Sequence, residues 1–167
     1  MIILGIDPGS RTTGFAVIHS IGNQLKLAEG GAIRLEKEGE FSARLLCLGQ
    51  RLDDILLHHR PDSLALEKVF HGLNVASTLK LGYIRGLVLY KAATHQVPVA
   101  EYDATVVKKA VTGYGRAEKH QVQEMVRVLL NLKETPKPHD VADAMAIAIC
   151  HAHTAPSIAR FHGNRRG

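Results

Sequence analysis

Two acidic residues stand where short apolar stretches of the sequence end. Asp7 follows the apolar residues 2–6 and precedes a Pro-Gly-Ser turn at 8–10, and Glu67 follows residues 63–66 in the same manner. Each stretch has the length and composition of a buried strand, and open α/β sheets bind ligands at the carboxyl ends of their strands. One acidic residue at a strand end is commonplace because loops are polar. When two strands end in this way, a shared acidic site and a pair of ordinary solvated turns are equally good explanations.

Two further acidic residues, Asp140 and Asp143, open the last predicted helix. The proline-containing segment 136–139 ends any earlier element, and the helix face that carries both aspartates also carries Ala144 and Ile147, so it is directed toward the protein. Capping of the helix N-terminus is an ordinary explanation for Asp140. It explains Asp143 less well, because an unpaired carboxylate that points inward is costly and a bound cation would remove that cost.

Four carboxylates directed at one place repel one another unless a metal ion neutralises them. Oxygen ligands suit Mg²⁺, with Mn²⁺ as a substitute, and disfavour zinc. Two such ions, about 3.5–4 Å apart, form an arrangement that cleaves phosphodiester bonds, in which one activates water and the other stabilises the leaving oxygen. We therefore predict a site with two Mg²⁺ ions, whose ligands and catalytic groups are Asp7, Glu67, Asp140 and Asp143.

The ten histidines add one candidate to this site. His139 adjoins Asp140 and could act as a base or support a metal ligand, which are common roles for histidine. The pair His58 and His59 falls at the exposed end of a predicted helix. Adjacent side chains point apart and no third ligand accompanies them, which disfavours a metal site there.

Basic residues flank a glycine-containing loop that leads into another predicted helix. Lys108, Lys109 and Lys119 bracket this loop, and a helix N-terminus preceded by such a loop is suited to a phosphate group. Solvated surface lysines are the alternative, since most surface lysines do nothing specific. Phe70, which follows Glu67 closely, is either a core anchor or a wedge that stacks on an unpaired base.

Hydrophobic periodicity predicts the elements that must position these residues. Strands are expected at 2–7, 13–20, 25–35, 63–67 and 97–101, with a hairpin connection at 21–24. Helices are expected at 42–59, 74–94, 104–111, 118–132 and 140–153. Three leading strands followed by alternating helices and strands predict an α/β fold with a mixed five-stranded sheet flanked by helices. We expect one domain over residues 1–154 and a disordered basic tail over residues 155–167.

The helix predicted at 74–94 contains Gly82 and Gly86, which lie one turn apart. Each glycine costs on the order of 1 kcal/mol in a helix interior, so the pair indicates close approach of another backbone. That backbone could belong to the same domain or to a second subunit.

Composition narrows the class of protein. The chain has 167 residues, 46% of them hydrophobic, which is enough for one core without disulfides. Cys47 and Cys150 form no CxxC motif, and residues 1–7 predict a buried strand instead of a secretory signal. No apolar run is long enough to span a membrane, so a cytoplasmic location is expected. The net charge of +5 and a pI near 9.4 favour a polyanionic partner without identifying it.

The ordered set of motifs resembles the RuvC family of Holliday-junction resolvases. It consists of ILGIDPGSRTTG at 3–14, LEKVF at 66–70, KLG and RG at 80–86, AEK at 117–119 and DVADA at 140–144. The resemblance implies an RNase H-like fold and paired, metal-dependent incisions across a four-way DNA junction in recombination and repair. It also implies a homodimer, through the helix that contains Gly82 and Gly86, and a branch-migration complex as a partner.

The resemblance also implies roles for individual residues. By motif position, the acidic catalytic tetrad is Asp7, Glu67, Asp140 and Asp143. Lys108 and Lys119 match basic residues near the scissile phosphate. Because Lys109 adjoins Lys108, either of the two could be the first of these matches. Phe70 matches an aromatic residue that contacts the junction.

Three other functional classes are alternatives. Sugar-kinase and actin-like ATPases also begin with a strand and an Asp-x-Gly turn, but they need a further domain for adenosine, for which this chain is too short. A monomeric RNase H-like nuclease acting on RNA would not need a second copy of the site. A non-catalytic junction-binding module is disfavoured by the four acidic residues, since carboxylates repel phosphate unless metals bridge them.

Overall fold

The computed structural model describes residues 1–68 and 75–163, with side chains in the second range as far as residue 155. Its sheet contains β1 (Ile2–Asp7), β2 (Thr12–Ile21), β3 (Gln24–Arg34), β4 (Ser63–Glu67) and β5 (Val99–Tyr102). The strands lie in the order β3-β2-β1-β4-β5. β2 is antiparallel to both of its neighbours, whereas β4 is parallel to both of its neighbours. The predicted mixed five-stranded sheet is therefore confirmed.

The helices occupy the predicted stretches of the chain. They are α1 (Phe41–His59), α2 (Val75–Thr94), α3 (Ala104–Thr112), α4 (Lys119–Leu129) and α5 (His139–Gly163). A short 3₁₀ helix at Glu36–Glu38 is not indicated by the hydrophobic periodicity. Among the described helices, none combines the length and the apolar character needed to cross a membrane.

The start of β5 differs from the prediction, which placed it at residue 97. The backbone N–H of Val97 donates to the carbonyl oxygen of Ala92 at 2.9 Å and closes the end of α2. Pro98 has no N–H to contribute to a sheet ladder. Regular pairing with β4 therefore begins at Val99, opposite Leu64.

The predicted ends of two helices are corrected as well. α4 ends at Leu129 because Asn131 adopts a positive φ of 51° and the N–H of Leu132 turns back to the carbonyl oxygen of Arg127. α5 continues beyond its predicted end at residue 153 as far as Gly163, so Pro156 lies within the helix. Residues 164–167 of the predicted tail lie outside the described residues, so the disorder predicted for them stays a prediction.

Each face of the sheet carries its own hydrophobic core, because side chains alternate along a strand. Ile3 and Ala65 pack with α3, α4 and α5 on one face. Leu4, Ile6 and Leu66 pack with α1 and α2 on the other. Asp7 and Glu67 continue the alternation of Ile3 and Ala65, so both acidic side chains belong to the face that α5 covers.

Glycines in the sheet allow α5 to lie directly on the strands. A Cβ atom added to Gly5 of β1 would overlap the carbonyl oxygen of Ala144, and one added to Gly14 of β2 would overlap the carbonyl oxygen of Asp140. Both obstacles are backbone atoms, which cannot rotate away as a side chain can. The first turns of α5 therefore approach the sheet closely only because these two positions lack a side chain.

Candidate active site

The strand pairing brings Asp7 and Glu67 to the same end of the sheet. β1 and β4 are parallel neighbours, and their register pairs Ile6 with Leu66. Each acidic residue follows this pair directly, as the last residue of its strand. The two carboxyl groups thus lie side by side at the carboxyl ends of β1 and β4.

The start of α5 brings the other two acidic residues to this place. Gly14 pairs with Asp7 across the β1–β2 ladder, and the backbone of Asp140 rests on Gly14. Asp143 lies nearly one turn further along α5 and is partly buried. All four acidic residues predicted from the sequence therefore meet at one end of the sheet.

The ionisation of the two strand-end acids reflects this crowding. Burial raises the pKa of Asp7 from 3.8 to about 7, and the negative charges of Asp143, Asp140 and Glu67 add to the increase. The pKa of Glu67 is also raised, first by burial and then by Asp143. A cation placed among these groups would favour their charged forms.

Two lysines oppose this negative charge. Lys119, the first residue of α4, donates from Nζ to Oδ2 of Asp143 at 2.9 Å. The positive charges of Lys108 and Lys119 both oppose the increase in the pKa of Glu67. The two lysines line a cavity of about 220 Å³ with Glu67 and Asp143. Lys109 borders a different groove, next to α5. Lys108 is therefore the member of the lysine pair that faces the acidic cluster.

Local hydrogen bonds fix the first turn of α4, which carries Lys119. Glu118 caps the helix, and its backbone N–H donates to the side-chain oxygen of Gln121 at 2.8 Å, which completes a capping box. Partial burial lowers the pKa of Lys119, but the hydrogen bond and charge of Asp143 outweigh that effect, so the net pKa is raised. Lys119 is thus held as an ammonium ion against the acidic cluster.

The residues present fit a Mg²⁺ site by their chemistry. All four candidate ligands offer carboxylate oxygen, the donor that Mg²⁺ prefers. Burial and then the neighbouring carboxylates raise the pKa of Asp7, and a cation would oppose both effects. Among the described side chains, at residues 1–68 and 75–155, no three acidic, histidine or cysteine groups already have the arrangement expected around a bound ion. The carboxylate of Asp143 instead pairs with Lys119 of α4.

The other predicted site residues have separate positions. His139 begins α5, and its Nδ1 accepts a hydrogen bond from the side-chain amide of Gln123, a largely buried residue of α4. This bond ties the start of α5 to α4. Phe70 lies outside the described residues. Nε2 of His59 lies 2.6 Å from the carboxylate of Glu29 on β3.

Three positions around the site were not identified as functional from the sequence. Thr13 is fully buried, and its hydroxyl group donates to the carbonyl oxygen of Gly9 at 3.1 Å, which braces the turn after Asp7. Gly14 provides the contact with α5, for which a glycine inside a strand is the available signal. Arg85 donates to the backbone oxygen of Glu67 at 2.7 Å, and no local pattern indicates this contact.

Known proteins resemble this chain over nearly its whole length. The family model described as crossover junction endodeoxyribonuclease RuvC matches residues 3–151. A protein of that name from Desulforamulus reducens is 50% identical over 152 residues, which cover 91% of this chain and 93% of the relative. Another from Alkaliphilus metalliredigens is 44% identical over 154 residues, covering 92% and 94% respectively.

A solved structure gives the same result for the fold. The structure of Thermus thermophilus RuvC in complex with a Holliday junction substrate superimposes with a TM-score of 0.87 at 32% identity, covering 94% of this chain and 96% of the other. The RNase H-like α/β fold implied by the sequence motifs is thereby confirmed. Taken with the acidic cluster and its two lysines, these likenesses show that the chain belongs to the RuvC family of crossover junction endodeoxyribonucleases.

Proposed function

We propose that this protein is a homodimeric, Mg²⁺-dependent endonuclease that resolves four-way DNA junctions by paired incisions. The observation that carries the proposal is the meeting of four carboxyl groups at one end of the sheet, where the parallel ends of β1 and β4 lie beside the start of α5. The pKa of Asp7 is raised there by burial and by the other three groups. A cluster of this kind suits divalent cations and phosphodiester hydrolysis. Membership in the RuvC family supports a four-way junction as the substrate.

Within this proposal, Asp7, Glu67, Asp140 and Asp143 hold two Mg²⁺ ions. The chemistry supplied by the bound ions is activation of water and neutralisation of charge on the leaving oxygen. Lys108 and Lys119 border the cavity next to Glu67 and Asp143, where an ammonium group can bind a phosphate oxygen. The lysines also offset the net negative charge that would otherwise repel DNA.

The exposed face of α2 supports the dimer. This face comprises Val75, Leu79, Gly82, Tyr83, Gly86 and Tyr90. Its large apolar side chains are 56–74% exposed, and a Cβ atom added to either glycine would meet no atom of the described residues within 4 Å. Packing within the domain therefore does not explain the glycine pair. A contiguous apolar surface of this kind marks a protein–protein contact, and we assign it to a second copy of the chain.

Gly86→Glu tests the dimer. The glycine is open to solvent in one chain, so the substitution is compatible with the fold, but a charge at a subunit contact would be buried and unpaired. We expect a monomer by light scattering and loss of paired incision. Gln50→Glu on the exposed side of α1 adds the same charge as a control and should leave a dimer. A dimeric Gly86→Glu variant with normal cleavage would contradict the assignment.

The activity itself is tested with a synthetic four-way junction in Mg²⁺, Mn²⁺, Ca²⁺ or EDTA. We expect symmetric cleavage in Mg²⁺ and Mn²⁺, binding without cleavage in Ca²⁺, and no cleavage in EDTA, because the oxygen ligands need a divalent ion of suitable size. A linear RNA–DNA duplex serves as the competing substrate. Preferential cleavage of that duplex would favour the monomeric RNA-directed nuclease instead. Association with a branch-migration complex and a cytoplasmic location stay predictions.

A further inference from the structure

Arg85 of α2 connects two strands at the acidic end of the sheet. Its guanidinium group donates from Nη1 to the backbone oxygen of Glu67 at 2.7 Å and from Nη2 to the carboxylate of Glu101 on β5. The side chain of Arg85 is 16% exposed and that of Glu101 is 36% exposed, so the bond to Glu67 is better shielded from solvent than the bond to Glu101. A hydrogen bond from a charged donor is about twice as strong as a neutral one, and the planar guanidinium fixes both acceptors at once.

The contact reaches Glu67 from behind the site. α2 packs on the face of the sheet that carries Leu64 and Leu66, whereas the side chain of Glu67 lies on the face that α5 covers. The neighbouring residue, Lys68, donates from its backbone N–H to the carbonyl oxygen of Tyr102 at 2.8 Å. The end of β4 is therefore held on one side by β5 and from the opposite layer by Arg85.

The same helix carries the exposed face described above. Gly86 follows Arg85 directly and Gly82 lies nearly one turn before it, so the side chain of Arg85 extends from α2 next to the apolar surface. A shift of α2 relative to the sheet would be transmitted through Arg85 to the backbone of Glu67.

We propose that Arg85 is a positioning residue, which sets the location of the Glu67 carboxylate and couples it to the helix that bears the exposed apolar face. The inference rests on the proposed role of Glu67 in holding a divalent cation. It assigns Arg85 no direct contact with DNA or metal. Its effect should therefore appear in metal use and in the cleavage step, and junction affinity should change little.

Arg85→Met tests the inference in the full-length protein. We expect the single-turnover rate of junction cleavage to fall about tenfold or more, because small misplacements of reacting groups are commonly that costly. The Mg²⁺ concentration for half-maximal rate should rise several-fold, while junction affinity in Ca²⁺ stays within about twofold. The increase in Tm that Mn²⁺ produces without DNA should become smaller, since a ligand stabilises a protein according to its affinity.

Lys91→Met is the matched control. Lys91 also belongs to α2 and pairs with Asp53 of α1, and its side chain is 20% exposed against 16% for Arg85. The control removes a comparable ion pair without touching Glu67, so the cleavage rate and the metal requirement should stay near wild type. Equal behaviour of Arg85→Met and Lys91→Met would overturn the inference.

Arg85→Lys gives a second test that does not depend on the stability of the methionine variant. Lysine keeps the charge but cannot present the planar fork, so we expect partial recovery of rate and metal affinity. Wild-type metal dependence in Arg85→Lys would also overturn the inference if the methionine variant does not fold. Glu67→Gln distinguishes failure of the proposed active site from failure of the positioning role. Full activity of Glu67→Gln would contradict the proposed site. An inactive Glu67→Gln variant beside a normal Arg85→Met variant would contradict only the positioning role of Arg85.

Discussion

Asp7→Asn is expected to reduce the rate of junction cleavage in Mg²⁺ by on the order of a thousandfold or more, because it removes a proposed metal ligand from the acidic cluster. Junction binding should be unchanged or tighter, since a negative charge that repels phosphate is lost. Single-turnover cleavage and gel-shift binding in Ca²⁺ measure the two quantities separately. Cleavage at the wild-type rate would show that the active site has been placed wrongly.

The same variant should be more stable than the wild-type protein when metal is absent. The pKa of Asp7 is about 7 in the folded protein against 3.8 as the ordinary value, so ionisation opposes folding. This penalty is absent below the ordinary value, grows as pH rises from there to about 7, and is complete above it. In EDTA at alkaline pH, we expect Asp7→Asn to raise the free energy of unfolding by about 2–4 kcal/mol.

Denaturant titrations across this pH range, with EDTA or with Mg²⁺, measure the effect. Mg²⁺ should reduce the advantage of the asparagine variant, because the ion stabilises the ionised wild-type cluster and binds the variant less well. Identical stabilities of the two proteins at alkaline pH in EDTA would contradict the crowding inferred for Asp7.

Gly14→Ala is expected to have the second largest effect. The added Cβ atom would overlap the carbonyl oxygen of Asp140, so the start of α5 must move away from β2 and carry Asp140 and Asp143 with it. We expect cleavage to fall about a hundredfold, since displacement of reacting groups by about 1 Å has effects of this size. The free energy of unfolding should fall by about 1–3 kcal/mol, which is typical of overpacking.

Gly30→Ala is the matched control for this substitution. Gly30 lies in β3, and its added Cβ atom would crowd the terminal methyl carbon of Met145, at 2.8 Å, whereas the side chains of Leu27 and Val141, at 3.6 Å, are at ordinary contact distance. A flexible methionine side chain can move aside, so stability and cleavage should change little. If Gly14→Ala cleaved as fast as Gly30→Ala, close approach of α5 would not be required for the site.

Much of the architecture is determined by local sequence patterns. Short apolar runs ending at Asp7 and Glu67 predict two buried strands with acidic ends, and the helical spacing of Asp143, Ala144 and Ile147 predicts a helix face directed inward. These properties depend on residues that are neighbours in sequence, and alternation along a strand or periodicity along a helix expresses them directly. The positions of the acidic residues, though not their catalytic roles, follow from such patterns.

Tertiary structure alone decided how these residues meet. Parallel pairing of β1 with β4 places the two strand ends together, and Gly14 admits the backbone of Asp140. The pairing of Lys119 with Asp143 and the bond from Arg85 to Glu67 join residues that are distant in sequence. Local periodicity carries no information about such contacts, because they depend on which strands become neighbours and on how closely two backbones can approach.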